Sequence, residues 1–331
     1  KTRYNYSGRD RLLSILKYKG TNPYQLYSKE ELKWGVKGSS QEGHLLGKYL
    51  LNDRSEIVSG QFFRYDKYGN AVEKGMVGSL TGRPCAPIRF TKDRYTEGGE
   101  REVTTYVYSK DKINFLESEH HSNGVSIHYQ HPKGLDQLDG KITLFRGEVK
   151  HREFYSYDKH GALKEIIEDD GLFFERDNLI QMTERKITRF SPQKEFPFGV
   201  PKTKKEYYLD LTTGEEKLLK KTCYTYNQMA KVTKEEVYDA NGAFAYTKSF
   251  DYDSHGNLLK EIDALGQVTE YRYNDNDEKI FTKGPNGIAH HHMFDQAGRL
   301  IEEKQVHPDG QTFVVSHRYN HLNQRIATTD W

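Results

Sequence analysis

The chain has 331 residues, and its 50 basic and 48 acidic side chains give a formal net charge of +2. That balance provides no global field to attract nucleic acid. Hydrophobic residues make up only 35%, a fraction typical of disordered chains, yet aromatic residues reach 13%, and disordered segments are poor in them. The two values agree if apolar and charged side chains alternate along β-strands. No run approaches the roughly 20 apolar residues of a membrane span, and no signal peptide is visible.

Residues 1–60 fit the repeat described below poorly, and we expect them to continue the array mainly as loops and edge elements. Within them, Ser28 is expected to cap a short helix that runs to Leu32. Residues 80–100 are interrupted by Gly and Pro and are predicted to form a loop. The chain as a whole is expected to be an internal fragment of a longer polypeptide.

Residues 61–190 are predicted to hold degenerate β-repeats, because side chains such as Val103 and Val107 alternate with polar neighbours at a period of two. The segment 165–215 is expected to contribute loops, and its acidic run from Glu165 to Asp170 to form a solvated turn. Residues 191–201 form a Pro-rich connector, and residues 202–331 are predicted to hold regular repeats.

One motif recurs along the chain and is clearest at Tyr252-Asp-Ser-His-Gly256. Its Asp can accept hydrogen bonds from amides of the turn, and its Gly tolerates the left-handed conformation that closes a hairpin. We call the aromatic residue that opens each copy of the motif its anchor. The anchors Tyr252, Tyr273 and Phe294 are spaced by 21 residues, and the next anchor, Tyr319, follows after 25. Apolar residues stand seven positions after these anchors, at Leu259, Ile280, Ile301 and Ile326. A second turn lies between copies, at Gly266, Gly287 and Gly310.

The following residues are assigned to the structural motif: Tyr65, Asp66, Gly69, Tyr157, Asp158, Gly161, Tyr238, Asp239, Gly242, Tyr252, Asp253, Gly256, Leu258, Tyr273, Phe294, Asp295, Gly298, Leu300 and Tyr319. Each unit of about 21 residues holds two strands and two turns and cannot bury its face alone, so neighbouring units must stack. The predicted fold is all-β: a long, curved antiparallel sheet of repeated β-hairpins, with few or no helices.

At these residues the chain resembles the RHS/YD-repeat family, whose signature is aromatic-Asp-x-x-Gly-Arg/Asn-Leu followed by a second Gly turn. Residues 294–300 and 252–258 fit the signature closely. The resemblance covers residues 220–331 well and 60–165 in patches. A self-cleavage motif of the Asp-Pro-x-Gly type, usual in this family, is not found, since Pro308 precedes Asp309.

The resemblance implies a non-catalytic segment of a β-shell, as in polymorphic toxins, Tc toxins and teneurins. The partners it implies are flanking repeats and a C-terminal cargo or toxin domain of the same polypeptide, and the location it implies is secreted or at the cell surface. The alternative is an extracellular module that binds a cell-surface glycan through exposed Tyr residues and Trp34.

Other candidate sites are better explained as parts of the repeat. Of His290-His-His292, only the first and third share a strand face, too few ligands for zinc. The segment from Asn274 to Glu278 resembles a calcium loop but lacks its required Gly and Glu. No cofactor or metal is therefore expected.

Enzymatic and nucleic-acid functions have no support in the sequence. The two cysteines, Cys85 and Cys223, show neither disulfide nor zinc-ribbon spacing, and no nucleophile motif is present. The lysines at 202–205 and 217–221 alternate with acidic residues, which indicates a wet strand face and not a nucleic-acid surface.

Overall fold

The structure is a computed structural model that describes residues 1–8, 11–20, 25–81, 89–91, 94–97, 100–111, 114–132, 137–320 and 323–330. These residues form 26 β-strands and no helix. In chain order the strands are β1 Thr2–Tyr6, β2 Leu12–Lys19, β3 Gln25–Trp34, β4 Leu45–Leu51, β5 Ile57–Tyr65, β6 Ala71–Gly78, β7 Arg89–Thr91, β8 Arg94–Glu97, β9 Glu100–Tyr108, β10 Leu116–His121, β11 Val125–Gln130, β12 Gly140–Phe145, β13 Glu148–Tyr157, β14 Leu163–Asp169, β15 Arg185–Pro192, β16 Pro201–Asp210, β17 Glu215–Tyr226, β18 Val232–Tyr238, β19 Phe244–Tyr252, β20 Leu258–Ile262, β21 Val268–Tyr273, β22 Lys279–Lys283, β23 Ala289–Phe294, β24 Leu300–Val306, β25 Thr312–Tyr319 and β26 Arg325–Asp330. The predicted all-β, antiparallel fold class is confirmed.

Local expectations failed where strand pairing decides the conformation. The expected helix at Ser28–Leu32 lies inside β3, which pairs with β2 on one side and β4 on the other. Both ladders satisfy its backbone groups, so tertiary pairing overrides the capping signal of Ser28. The expected loops in 1–60 are largely strands for the same reason. Segment 165–215 is divided between strands and connections, since residues 170–184, 193–200 and 211–214 lie outside strands. Within 80–100 the strands β7 and β8 form a short hairpin. Cys85 lies outside the described residues.

The chain forms two compact units, of which the first comprises residues 1–125, 295–303 and 313–331. In this unit β1 to β6 pair in sequence, β6 pairs with β9, and β9 with β10. Strand β1 also pairs with β26, and β26 with β25. Its buried centre is Phe62 and Val77, and Gly75 makes room for it, since a Cβ there would lie 2.1 Å from Phe62 Cζ.

The second unit comprises residues 126–294 and 304–312. Its strands β12 to β22 each pair antiparallel with the next strand in the chain. A core cluster draws on β12 to β15 and consists of Ile142, Leu144, Val149, Phe154, Ile167 and Ile187. The predicted connector at 191–201 lies inside this unit, where β15 ends and β16 begins. The proposed division of the chain at that connector stays a prediction.

Candidate functional site

The hairpin turn after Tyr252 shows how the motif works. Asp253 Oδ1 accepts the backbone N–H groups of His255 and Asn257, both at 2.9 Å. The Gly256 N–H donates to the Asp253 carbonyl at 3.2 Å, and the Asp253 N–H donates to the Asn257 carbonyl at 3.0 Å. Gly256 has a φ of +88°. One side chain and one left-handed residue therefore close the turn.

The other assigned turns have the same geometry. In each, the Asp side chain accepts the N–H groups two and four residues ahead, and the residue three ahead has a positive φ. This set comprises Asp66 with Gly69, Asp158 with Gly161, Asp239 with Gly242, and Asp295 with Gly298. The turn after Ile262 matches it as well, since Asp263 accepts two N–H groups and Gly266 has a φ of +77°. The second turns of the next repeats begin at Gly284 and His307, so of the Asp and Gly pair they keep only the left-handed glycine, at Gly287 and Gly310.

Some copies reach the left-handed conformation without glycine. Asp277 has a φ of +60° and Ala230 of +59°. Asn274 replaces the turn aspartate and accepts the N–H groups of Asn276 and Glu278 at 3.1 and 3.0 Å. The calcium-loop resemblance of this segment therefore coincides with an ordinary repeat turn.

A β-bulge follows the turn after Tyr252 and explains the recurring apolar position. Tyr252 pairs with Leu258 and Asp251 with Lys260, so Leu259 stands between two pairs without a partner of its own. The hairpins after Tyr273 and Tyr319 skip Ile280 and Ile326 in the same way. Such a bulge re-phases the strand. The residue seven positions after an anchor is therefore a bulge residue.

Anchor tyrosines fasten each hairpin to an earlier one. The Tyr252 hydroxyl donates to the carbonyl of Val232 at 3.0 Å, and the Tyr319 hydroxyl to the carbonyl of Leu300 at 2.8 Å. Both acceptors are first residues of strands that return from an earlier turn. Equivalent bonds are Tyr65 to Leu45, Tyr108 to Ala71, Tyr157 to Leu138 and Tyr226 to Pro201. We call these bonds the tyrosine staples.

Three assigned anchors depart from this scheme in different ways. Phe294 has no hydroxyl and cannot form a staple. Tyr238 packs against Phe244 with its ring centroid 6.0 Å away. Tyr273 forms no staple with any described residue. The staple is therefore frequent in the repeat without being obligatory.

A buried ion network at β13 to β15 was missed from the sequence. Arg152 has no exposed surface, and its Nε lies 2.5 Å from Asp169 Oδ1. Arg185 Nη2 lies 2.7 Å from Asp169 Oδ2. Glu165 accepts from Arg176 and Arg189 at 2.6 and 2.7 Å. The expected solvated acidic turn is thus wrong for these two carboxylates, because guanidinium groups far along the chain reach them.

Arg152 also organises the connection that follows β14. Its Nη1 donates to the carbonyls of Phe173 and Glu175 at 2.7 and 2.9 Å, and its Nη2 to that of Asn178 at 3.1 Å. A Cβ on Gly171 would lie 2.2 Å from Arg152 Nη2, so this position is restricted to glycine. A buried charge with this many partners is a structural device.

The lysines of β16 and β17 behave as an alternating strand face. Glu206 is buried and lies 3.0 Å from the Nζ of Lys220 and 3.5 Å from that of Lys204. Burial acts to raise the pKa of Glu206, and the lysines outweigh it, so the net pKa is lowered.

The histidine run occupies β23. His292 Nδ1 lies 3.2 Å from the carbonyl oxygen of Lys279, and the His291 ring packs edge-on against Phe281. Elsewhere in the described chain Asp253, His255 and Asp277 lie close enough to share a cation, but they are exposed or half-buried at a repeat turn. His255 Nδ1 lies 2.9 Å from Asp277 Oδ1, and that hydrogen bond raises the pKa of His255.

The glycan alternative requires a Trp34 ring that is free to stack on a sugar, but this side chain already has partners within the protein. Its indole N–H donates to the Leu12 carbonyl at 2.9 Å, and the Arg11 guanidinium stands 5.7 Å from its ring centroid. Within the described ranges no helix is long and apolar enough to cross a membrane.

Comparisons with known proteins place a repeat family at the best-defined turns. Residues 252–279 match the RHS repeat model. No curated protein matches the chain. The crystal structure of TcdB2-TccC3 is similar at 14% identity and a TM-score of 0.47, over 98% of this chain and 15% of that one.

Two further structures are similar at lower scores. The Photorhabdus luminescens Tc holotoxin pore has 11% identity and a TM-score of 0.31, over 99% of this chain and 22% of that one. A porin-like protein from Bacteroides uniformis has 10% identity and a TM-score of 0.24, over 94% and 96%. The chain spans less than a quarter of the two Tc structures. The predicted family resemblance is confirmed for the turn after Tyr252, since residues 252–279 match the RHS repeat.

Proposed function

We propose that this chain is a non-catalytic structural segment of an RHS-repeat protein. In this proposal it forms part of a β-shell that encloses a C-terminal toxin or cargo domain of the same polypeptide. The observation that carries the proposal is the tyrosine staple, which joins one hairpin to the returning strand of an earlier one. The RHS repeat at residues 252–279 supports it.

The proposed mechanism is containment by a continuous wall. Each strand from β12 to β22 has a hydrogen-bonded neighbour in the next strand, and a bond such as Tyr252 to Val232 adds a side-chain tie between successive hairpins. Such a wall resists local opening because one hairpin cannot leave without breaking two ladders and a staple. The protein is proposed to act outside the cell, secreted or at its surface, as the family resemblance implies.

Protease protection tests containment on the natural full-length polypeptide. Trypsin treatment under native conditions should leave the cargo domain uncleaved while exposed linkers are cut. The same cargo should become cleavable when denaturant unfolds the β-region. Equal cleavage of the cargo in native and unfolded protein would rule out containment. It would leave open a structural role of another kind.

A further inference from the structure

A cavity in the second unit has the features of a ligand site. It has a volume of about 540 Å³ and lies between the turn after Tyr157 and the segment where β15 passes to β16. Its walls include the apolar side chains of Leu163, Phe190, Pro192 and Pro201. This volume falls within the range of pockets that hold small organic molecules.

Two lysines give the cavity a local cationic character. Lys159 and Lys164 line it, and neither forms a hydrogen bond or ion pair with a side chain in the described part of the chain. Most lysines of the neighbouring strands are paired, as Lys204 and Lys220 are with Glu206. Two exposed ammonium groups without a side-chain partner are available to bind an anion beside apolar walls.

Lys164 breaks the pattern of the repeat at this place. Tyr157 pairs with Leu163 and Ser156 with Glu165, so Lys164 is the bulge residue of its hairpin. The equivalent residues of the hairpins after Tyr252 and Tyr273 are the apolar Leu259 and Ile280, and that of the hairpin after Tyr226 is the uncharged Thr233. Packing of the hairpin therefore does not require a lysine here, and the substitution brings a charge to the cavity wall.

The cavity is also lined by one carboxylate, that of Asp158, which already accepts hydrogen bonds from the backbone. Asp158 Oδ1 accepts the N–H groups of Ala162 and His160, at 3.0 and 2.8 Å, and these bonds lower the pKa of Asp158. With two lysines and this carboxylate, the cavity carries a net charge of about +1, which suits a single anionic group.

Two exposed aromatic side chains lie in the loop that supplies part of the cavity wall. Phe196 and Phe198 are 60% and 73% exposed and pack edge to face, with their ring centroids 6.5 Å apart. They belong to the loop that contributes Gly199 to the cavity wall. Their rings leave apolar surface in water close in sequence to the cavity wall.

We propose that this cavity binds a small anion carried on a ring with an apolar face. Lys159 and Lys164 would bind the anionic group, and Phe190 with the two prolines would pack against the ring. Acidic saccharide units and aryl anions share this chemistry. The site is independent of the structural role proposed above.

Isothermal titration calorimetry at low salt tests the site with three probes. They are a glucuronate-containing disaccharide, naphthalene-2-sulfonate and inorganic sulfate. We expect one or both ring-bearing anions to bind with submillimolar Kd and sulfate to bind at least tenfold more weakly. Preference between the disaccharide and the aryl sulfonate identifies the source of the ring. No binding of either ring-bearing anion, or equally tight binding of sulfate, would overturn the proposal.

Variants at the lysines separate this cavity from nonspecific binding. The double variant Lys159→Ala/Lys164→Ala should weaken ring-anion binding at least tenfold and keep the wild-type Tm, because both side chains are exposed. Lys67 is a matched control, since it follows Asp66 as Lys159 follows Asp158. Lys67→Ala should leave Kd within twofold of wild type. Unchanged binding by the double variant, or an equal loss in the control, would contradict the assignment.

Discussion

The left-handed turn position allows a reciprocal test of the repeat geometry. Gly256 and Ala230 occupy the same place in neighbouring copies, with φ values of +88° and +59°. The variants Gly256→Ala and Ala230→Gly exchange the two residue types. An L-residue in this conformation costs roughly 1–2 kcal/mol, and replacing glycine by alanine recovers about 0.4–1 kcal/mol from the unfolded chain.

The surroundings of Gly256 add little to that cost. A Cβ there would lie 3.4 Å from Lys231 Cε and 3.6 Å from Met229 Sδ, which are ordinary contacts. We therefore expect Gly256→Ala to lower the free energy of unfolding by about 1 kcal/mol. Ala230→Gly should raise it by about the same amount, because it removes the conformational cost and makes no new contact.

Urea unfolding followed by circular dichroism measures both changes. The midpoint should move in opposite directions for the two variants while the slope with denaturant stays constant. A shift in the same direction for both, or none for Gly256→Ala, would refute the claim that these turns require a left-handed residue.

Three further outcomes follow from the second unit. Arg152→Met should lower the free energy of unfolding by about 3 kcal/mol, because Asp169 loses a buried partner. The surface control Lys150→Ala should change that free energy by less than about 0.5 kcal/mol. Chemical denaturation of the two variants measures both changes. Gly171→Ala should also destabilise, since the new Cβ collides with Arg152, and a wild-type Tm would contradict the packing described. The raised pKa of His255 should stabilise the fold below pH about 6.5 and lose that effect as pH rises through the folded pKa, so His255→Gln should narrow the stability difference between pH 5.5 and 8.5.

The regular hairpins could be predicted because their information is local. An aspartate, a glycine and flanking apolar residues specify a turn within a few positions, as at Asp253 and Gly256, and the repetition removes the ambiguity of one short motif. The strand at Gln25–Trp34 could not be predicted that way. Its conformation depends on ladders to two neighbours, and its own sequence favours a helix start at Ser28.

The buried network shows a second limit of sequence reasoning. Asp169 stands in an acidic run that is typical of a solvated turn. Its partner Arg152 lies 17 positions earlier on the adjacent strand, and the carbonyls that complete the site come from the following loop. The bulge after each turn was equally hidden, because an apolar residue at a fixed distance such as Leu259 fits a paired strand as well as a bulge.

Hydrogen–deuterium exchange of Tyr252→Phe tests the stapled wall most directly. The variant removes one hydroxyl and leaves the Val232 carbonyl without that donor. Losing such a bond costs about 1 kcal/mol. We predict faster amide exchange both in the hairpin of residues 252–258 and at the start of β18 in the preceding copy. A change confined to residues 252–258, with β18 unaffected, would contradict the account of hairpins fastened into one wall.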